Sequence, residues 1–412
     1  MNKSIKIGLL PRIIIAILLG IVLGLFLPRP VVRVFVTFNS IFSNLLQFLI
    51  PLIIIGLVTP AISDIGKGAG KLLLITVLIA YCDTVFAGLL SYGTSVAVFP
   101  RLIGGTTAES VAEFENLEPY FTIQIPAMVD VMSALVFSFT LGLGMAFFGS
   151  PHLKKFADEF KDIIVKTIEV VIIPLLPIYI FGIFLGMTHT GQAMKVITVF
   201  ISIIGVIFIL HVLLLVLQFC LAGGIVGKNP FKALGNMLPA YFTALGTSSS
   251  AATIPVTLGC VKKNGVSDGI AGFTVPLCAT IHLSGSCLKI TACAVALMMM
   301  QGMEFDFWMF LGFIMMLGVM MVAAPGVPGG AIMAALGVLA AILGFGEQEQ
   351  ALMIALYITM DSFGTACNVT GDGAIALVVD KIFRKRTGFA PDDQDVPDVP
   401  LSADGSATPA KS

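Results

Sequence analysis

The sequence predicts an all-α polytopic membrane protein with eight transmembrane helices and two opposed re-entrant helical hairpins. Hydrophobic residues make up 57% of the 412 residues and charged residues only 11%, whereas soluble domains carry about 25% charged residues. The apolar residues extend along almost the whole chain, so they do not form one buried core with polar surroundings. The net charge of −1, without a basic stripe, argues against nucleic-acid binding.

Each transmembrane helix needs about 20 apolar residues to cross a bilayer. Eight stretches reach that length: 8–28, 36–60, 71–98, 121–149, 160–188, 193–224, 267–300 and 348–383. Lys3, Lys6 and Arg12 precede the apolar run from Ile13 to Leu27 of the first stretch, as in a signal peptide. No convincing small-residue cleavage site follows, so we interpret this stretch as a retained helix.

Two further apolar stretches predict the hairpins. Residues 231–261 are interrupted by TSSSAATIP (247–255), and residues 305–345 by APGVPGG (324–330). An interrupted helix cannot face lipid along its whole length, because its freed backbone groups would lack hydrogen bonds. A hairpin whose tip is buried in protein or faces a water-filled cavity avoids this cost.

The distribution of charge predicts the orientation. With both termini in the cytoplasm, Lys and Arg collect on the inner side, as expected of short loops. The acidic residues then lie outside: Glu109, Glu113, Glu115, Glu118, Glu304, Asp306, Glu347 and Glu349. The first hairpin therefore enters from inside and the second from outside, and their tips define a site near the midplane. The acidic, Pro- and Ser-containing segment 387–412 is expected to be a disordered cytoplasmic tail.

A polar stripe runs along the last span. Asp361, Thr365, Asn368 and Asp372 are spaced at i, i+4, i+7 and i+11, and Gly364 lies on the same face. Such a stripe either joins helices or binds a ligand or cation. We favour binding, because two uncompensated aspartates are a costly way to hold helices together.

A second stripe lies in span seven, where His282, Ser286 and Lys289 have the same spacing. The run from His282 to Ser286 contains poor helix formers, and an unwound stretch there would expose carbonyls suited to a hard cation. A packing role for His282 stays open, and His211, alone in span six, is interpreted as a packing residue.

A third intramembrane polar group, Asp83, lies in span three beside Thr84 and needs a partner. The candidates are Lys289, His282 or a cation shared with Ser284. The seven cysteines lie in apolar segments without a CxxC pair and are interpreted as packing residues.

The two tips differ in chemistry. Ser248, Ser249 and Ser250 offer hydroxyls and backbone N–H groups to an anionic carboxylate, although an unliganded flexible loop is the alternative. The second tip, which includes Gly329, consists of small turn-forming residues and is suited to a gate.

Four motifs, in this order, carry a family resemblance: SSSAATIPVT (248–257), PLCATIHLSGS (276–286), PGVPGGA (325–331) and NVTGD (368–372). From about residue 8 to 385, the chain resembles the dicarboxylate/amino acid:cation symporters, which include the glutamate and neutral amino acid transporters. The resemblance implies a homotrimer in the lipid of a plasma membrane, or of the inner membrane if the protein is bacterial. It also implies an elevator mechanism, in which a transport domain (71–98 and 193–385) moves against a scaffold (1–70 and 121–188).

The resemblance assigns roles to matching residues. Asp361 would take a substrate amino group, and Asn368 its α-carboxylate together with the first tip, with Thr365 and Gly329 also at the substrate. Asp372 would ligate Na⁺ with the carbonyl of Asn368. Over both expected cation sites, the ligands are Asp83, Thr84, Cys278, His282, Ser284, Asn368 and Asp372.

One departure from the family pattern concerns specificity. Gly364 stands where acidic-substrate members carry an arginine, and loss of a bidentate guanidinium favours a small neutral amino acid such as serine, threonine or alanine. Lys289, at the position of a family tyrosine, is able to supply the missing cation. An acidic amino acid or a C4-dicarboxylate therefore stays an alternative substrate.

The other departure concerns the coupling ion. The family motif NMDGT is replaced by HLSGS (282–286), so one sodium-ligating aspartate is missing. Asp83 stands where the family has a cation-ligating threonine. In one hypothesis, Asp83 in span three replaces the aspartate lost from span seven, and Asp83 and Ser284 together preserve the Na⁺ site. The competing hypothesis is coupling to H⁺ through His282 or Lys289.

Other function classes fit the residues less well. An intramembrane hydrolase using Asp361 and Asp372 fails because eleven residues of helix separate them by about 16 Å. The sequence contains no phosphate-binding loop for an ATP-driven pump. A passive channel is the other contender, and uptake against a gradient would distinguish it from a secondary transporter. We therefore expect a secondary transporter and no enzyme activity.

Overall fold

The computed structural model describes residues 8–66, 71–103, 117–191, 193–325 and 328–387, and in these ranges every regular element is helical. The elements are α1 (Leu9–Gly24), α2 (Arg29–Gly66), α3 (Lys71–Ile103), α4 (Val131–Phe148), α5 (Pro151–Thr167), a π-helical segment (Ile168–Ile172), α6 (Ile173–His189), α7 (Ala193–Val226), α8 (Pro230–Thr247), α9 (Ser250–Lys263), α10 (Asp268–Ile281), α11 (Ser284–Gln301), α12 (Phe307–Ala323), α13 (Gly330–Leu343), α14 (Glu347–Thr359) and α15 (Asp361–Thr387).

The lengths of these helices identify a multi-pass membrane protein. Among the described residues, six helical stretches are long and apolar enough to cross a bilayer, or seven if the bent pair α14 and α15 forms one span. The predicted first span corresponds to α1, which has 16 residues and is shorter than the usual span.

Two predicted boundaries differ from the structure. The helix expected over 121–149 begins only at Val131, because Pro119 and Pro126 interrupt the preceding segment. Asp130 caps this helix by accepting bonds from the backbone N–H and the hydroxyl of Ser133, which lower the pKa of its carboxyl group. The helix expected over 160–188 begins earlier, at Pro151.

Some sequence predictions lie outside the described residues. These are the tail from 388 onward, the acidic residues within 104–116, the segments 1–7 and 67–70, and Gly326 of the second tip.

Both predicted interruptions separate pairs of packed helices. The turn at Ser248 and Ser249 joins α8 to α9, which run antiparallel: Asn264 near the end of α9 donates to the carbonyl of Ala233 near the start of α8 (3.0 Å). The second turn, in which Ala324, Pro325, Pro328 and Gly329 are described, joins α12 to α13, and these two helices also pack on each other.

The helices pack in two groups. One group contains α1, α2, α4, α5 and α6, and close packing of α1 on α6 requires small residues such as Gly24, whose added Cβ would lie 2.9 Å from the carbonyl oxygen of Leu185. The other group surrounds α15 and contains α3 and α7 to α11. Helices α12, α13 and α14 contact both groups.

Candidate functional site

Both helical turns and the beginning of α15 meet at one small cavity. The first turn contributes Ser248, the adjoining start of α9 contributes Ser250, and the second turn contributes Ala324 and Pro325. The remaining polar lining residues are Thr280, Ser286, Tyr357, Asp361, Thr365 and Asn368. The cavity is therefore bounded by hydroxyl, amide and carboxylate groups from elements far apart in the sequence.

The stripe of α15 supplies three of these groups, Asp361, Thr365 and Asn368. Asp361 is the first residue of α15, which follows a 64° bend between α14 and α15. Thr365 donates its hydroxyl to the Asp361 carbonyl (2.9 Å). The Asn368 Oδ1 accepts the Gly285 N–H (2.8 Å), and the Asn368 Nδ2 donates to Ser286 (3.3 Å). This amide therefore holds α15 against the start of α11.

The Asp361 carboxylate contacts the second turn. Its Oδ2 accepts the backbone N–H of Gly329 (3.1 Å), which has a positive φ of 75°, a conformation that glycine adopts without strain. Asp361 is 8% exposed and lines the cavity. Its carboxylate thus ties the second turn to α15 at the cavity wall.

Lys289 forms a buried ion pair with the Asp361 carboxylate. Its Nζ is 3.2 Å from Asp361 Oδ1 and 3.5 Å from the centroid of the Tyr357 ring, and its side chain is 0% exposed. A Cβ added to Gly364 would lie 2.7 Å from the same Nζ. Gly364 therefore leaves room for the ammonium group. Lys289 pairs with Asp361 and is not the partner of Asp83.

The three serines of the first turn serve different purposes. Ser248 has a left-handed φ of 51°, and its hydroxyl lies 2.7 Å from that of Ser362. Ser249 caps α9 by accepting the Ala252 N–H (3.3 Å). Ser248 and Ser250 line the cavity, whereas the hydroxyl of Ser249 serves the helix terminus.

A second polar cluster surrounds the break between α10 and α11. The break is shorter than expected, since only His282 and Leu283 are non-helical. His282 is buried, with Nδ1 2.8 Å from Asp372 Oδ1 and Nε2 2.8 Å from Asp83 Oδ2. Asp83, His282 and Asp372, which were predicted as cation ligands, therefore lie together, and the His282 imidazole bridges the two carboxylates.

Two other predicted cation ligands are engaged within their own helices. The Thr84 hydroxyl donates to the Ala80 carbonyl (2.8 Å). The Cys278 carbonyl accepts the His282 N–H (2.9 Å), and its side chain is fully buried.

Several residues at the site were not identified from the sequence. Gln218 donates to Asp83 (2.6 Å) and to Ser284 (3.2 Å). His211, interpreted as a packing residue, is buried, and its Nε2 lies 3.1 Å from the Gly285 carbonyl oxygen. Tyr357, which contacts Ser286 (3.0 Å), was also missed, as was Ser362. The one available signal was that a glutamine is rare within an apolar span.

Comparison with known proteins identifies the family of this chain. The model of the sodium:dicarboxylate symporter family matches residues 9–382. Excitatory amino acid transporter 1 of Rattus norvegicus is 29% identical over 276 residues, which are 64% of this chain and 49% of the rat protein. Excitatory amino acid transporter 4 of Mus musculus is 26% identical over 293 residues, which are 68% of this chain and 50% of the mouse protein.

A bacterial relative aligns over nearly its full length. The serine/threonine transporter SstT of Acinetobacter baylyi is 24% identical over 396 residues, which are 92% of this chain and 98% of that protein. The match spans only about half the length of the excitatory amino acid transporters. The family and these relatives are transporters and not enzymes. The chain belongs to the sodium:dicarboxylate symporter family.

Proposed function

We propose that this chain is a secondary active symporter for a small neutral amino acid, with serine, threonine and alanine as the first candidates. The observation that carries the proposal is the joint presence of Asp361, Asn368 and the serine turn on one cavity. Asp361 would bind the substrate ammonium group, while Asn368 and the N–H groups of the first turn would bind its carboxylate.

The charges favour a neutral zwitterion. Lys289 already neutralises Asp361, and the described residues that line the cavity include no lysine, arginine or histidine. An acidic side chain would bring a further negative charge to a wall of hydroxyl and amide groups. The name of the Acinetobacter relative supports serine or threonine. The family description supports the alternative, an acidic amino acid or C4-dicarboxylate held by Lys289.

Na⁺ is the first candidate for the coupling ion, on the basis of the family description. Asp372 and the Asn368 carbonyl would supply one site, and Asp83, Ser284, Thr84, Cys278 and His282 the surroundings of a second. The bridge from Asp83 through His282 to Asp372 favours H⁺ as the second candidate, because an imidazole between two carboxylates is suited to carrying a proton.

The proposed mechanism is an elevator within a homotrimer in the plasma membrane, with both termini cytoplasmic. The scaffold comprises 1–70 and 121–188, and the transport domain comprises 71–98 and 193–385. Two packing groups support this division. Helices α1, α2, α4, α5 and α6 pack on one another, and helices α3 and α7 to α11 pack around α15. The turns at Ser248 and Gly329 would act as the two gates.

The test is uptake by proteoliposomes that contain the purified protein. Labelled serine and aspartate are supplied with an inward Na⁺ gradient, or with choline in place of Na⁺ and an imposed proton gradient. We expect concentrative, Na⁺-driven serine uptake. Aspartate preference would favour the alternative substrate, uptake in choline would favour H⁺ coupling, and equilibration without accumulation would refute secondary active transport.

A further inference from the structure

A second polar cavity lies where α14 meets the first helix group. Its walls come from α2, α6, the beginning of α14 and the segment with Leu117 and Pro119, and none of the residues that line the candidate substrate cavity takes part. The polar lining side chains are Asn39, Ser40, Ser43, Tyr179, Thr190, Glu347 and Gln348.

Asn39 is the most informative of these residues. It is 7% exposed, and its Oδ1 accepts no hydrogen bond from any described residue. A Cβ added to Gly182 on the facing helix would lie 2.7 Å from this Oδ1, so the glycine gives the amide its space. Because a buried acceptor without a donor is costly, the cavity is expected to admit a donor group.

The other end of the cavity carries its charge. Ser43 lies one helical turn from Asn39, or about 6 Å along α2. Its hydroxyl is 2.9 Å from that of Tyr179, which donates to the Glu347 carbonyl (3.4 Å). The Glu347 carboxylate accepts a long bond from Gln47 (3.4 Å) and interacts with the Ser43 side chain. Among the described lining residues, Glu347 carries the only formal charge.

We infer that this cavity binds a small ammonium compound with a second donor group, such as a short diamine or amino alcohol. The ammonium group contacts the Glu347 carboxylate, and the second donor contacts Asn39 Oδ1. Anions are disfavoured, because the described residues that line the cavity include the acidic Glu347 and no lysine, arginine or histidine. The ammonium compound binds and dissociates without forming a covalent bond.

The position of the cavity gives the ligand a regulatory effect, and this part of the inference rests on the proposed elevator mechanism. Helices α2 and α6 belong to the proposed scaffold, and α14 belongs to the proposed transport domain. A molecule that bonds to both Asn39 and Glu347 joins the two. It therefore slows transport at saturating substrate without competing with the substrate.

Binding is tested on the purified full-length protein by calorimetry with 1,4-diaminobutane and ethanolamine, and with 1-butanol and succinate as probes lacking an ammonium group. We expect saturable binding of the two amines only. Asn39→Leu and Glu347→Gln should each weaken it at least tenfold. Asn44→Leu makes the same substitution on α2 at a residue that does not line the cavity, and it should leave binding unchanged.

Two results would overturn the site: absence of amine binding to the wild type, which means that the cavity holds water only, or binding that survives both variants. The regulatory effect is measured separately, as inhibition of serine uptake at saturating serine. Amine binding in a protein without uptake would refute the proposed function and leave the site intact. Inhibition that serine relieves would mean that the amines act at the substrate cavity, and would overturn the regulatory inference.

Discussion

The ion pair between Lys289 and Asp361 makes a specific prediction about Lys289→Met, which keeps a long apolar side chain and removes the ammonium group. In the wild type, the ammonium contacts the Asp361 carboxylate, the Met360 carbonyl (3.3 Å) and the Tyr357 ring. After the substitution, the Gly329 N–H (3.1 Å) still donates to a carboxylate that is 8% exposed, but no cation faces it among the described contacts of Asp361.

The magnitude follows from the burial of the pair. Removing one partner of a buried ion pair costs about 3–5 kcal/mol, because the other charge is left uncompensated. In the empty protein this cost is borne in full, whereas a bound amino acid would supply its own ammonium group. We therefore expect a lower thermal unfolding midpoint, tighter apparent binding of serine, and loss of net uptake of about 100-fold, with exchange less affected.

The assay combines thermal unfolding in detergent with net uptake and serine-for-serine exchange in proteoliposomes. The control is the double variant Lys289→Met/Asp361→Asn, which removes both charges and should recover much of the lost stability. Methylammonium should partly restore net uptake by the single variant. A single variant as stable as the wild type, or a double variant no more stable than the single one, would refute the reasoning.

Three further predictions concern neighbouring residues. Asp83→Asn removes one of the two carboxylates that contact His282. If Asp83 serves a Na⁺ site, the Na⁺ concentration for half-maximal serine uptake should rise by roughly tenfold or more. An unchanged Na⁺ dependence would contradict this role. Gly364→Arg should abolish serine uptake, because its Cβ would lie 2.7 Å from Lys289 Nζ. The double variant Gly364→Arg/Lys289→Tyr should raise the ratio of aspartate to serine uptake. A constant ratio would argue against Gly364 as a specificity determinant. Gly285→Ala would bring a Cβ to 2.7 Å from that of Cys367 and should lower the free energy of unfolding, measured in detergent, by about 1–3 kcal/mol. In the control Gly272→Ala, the new Cβ meets no atom within 4 Å, and the free energy of unfolding should rise by about 0.5–1 kcal/mol. Equal effects of the two substitutions would contradict this packing.

Part of the site could be predicted from the sequence because it depends on local geometry. Asp361, Thr365, Asn368 and Asp372 share one helix, so helical periodicity is sufficient to place them on one face. The turn at Ser248 is marked by its serines, as small polar residues are poor helix formers. The start of α4 was predicted too early, since hydrophobicity alone does not register Pro119 and Pro126.

Composition and periodicity by themselves determined the helical membrane class, the two interrupted apolar stretches and the polar stripe of α15. Only the tertiary structure decided which polar groups pair. Asp83 contacts His282, 199 positions away, and Gln218, 135 positions away, while Lys289 contacts Asp361 at a separation of 72 positions. Periodicity specifies the face of a helix that is polar, but the neighbour on that face depends on how the helices pack. A buried charge takes whichever partner this packing brings within reach.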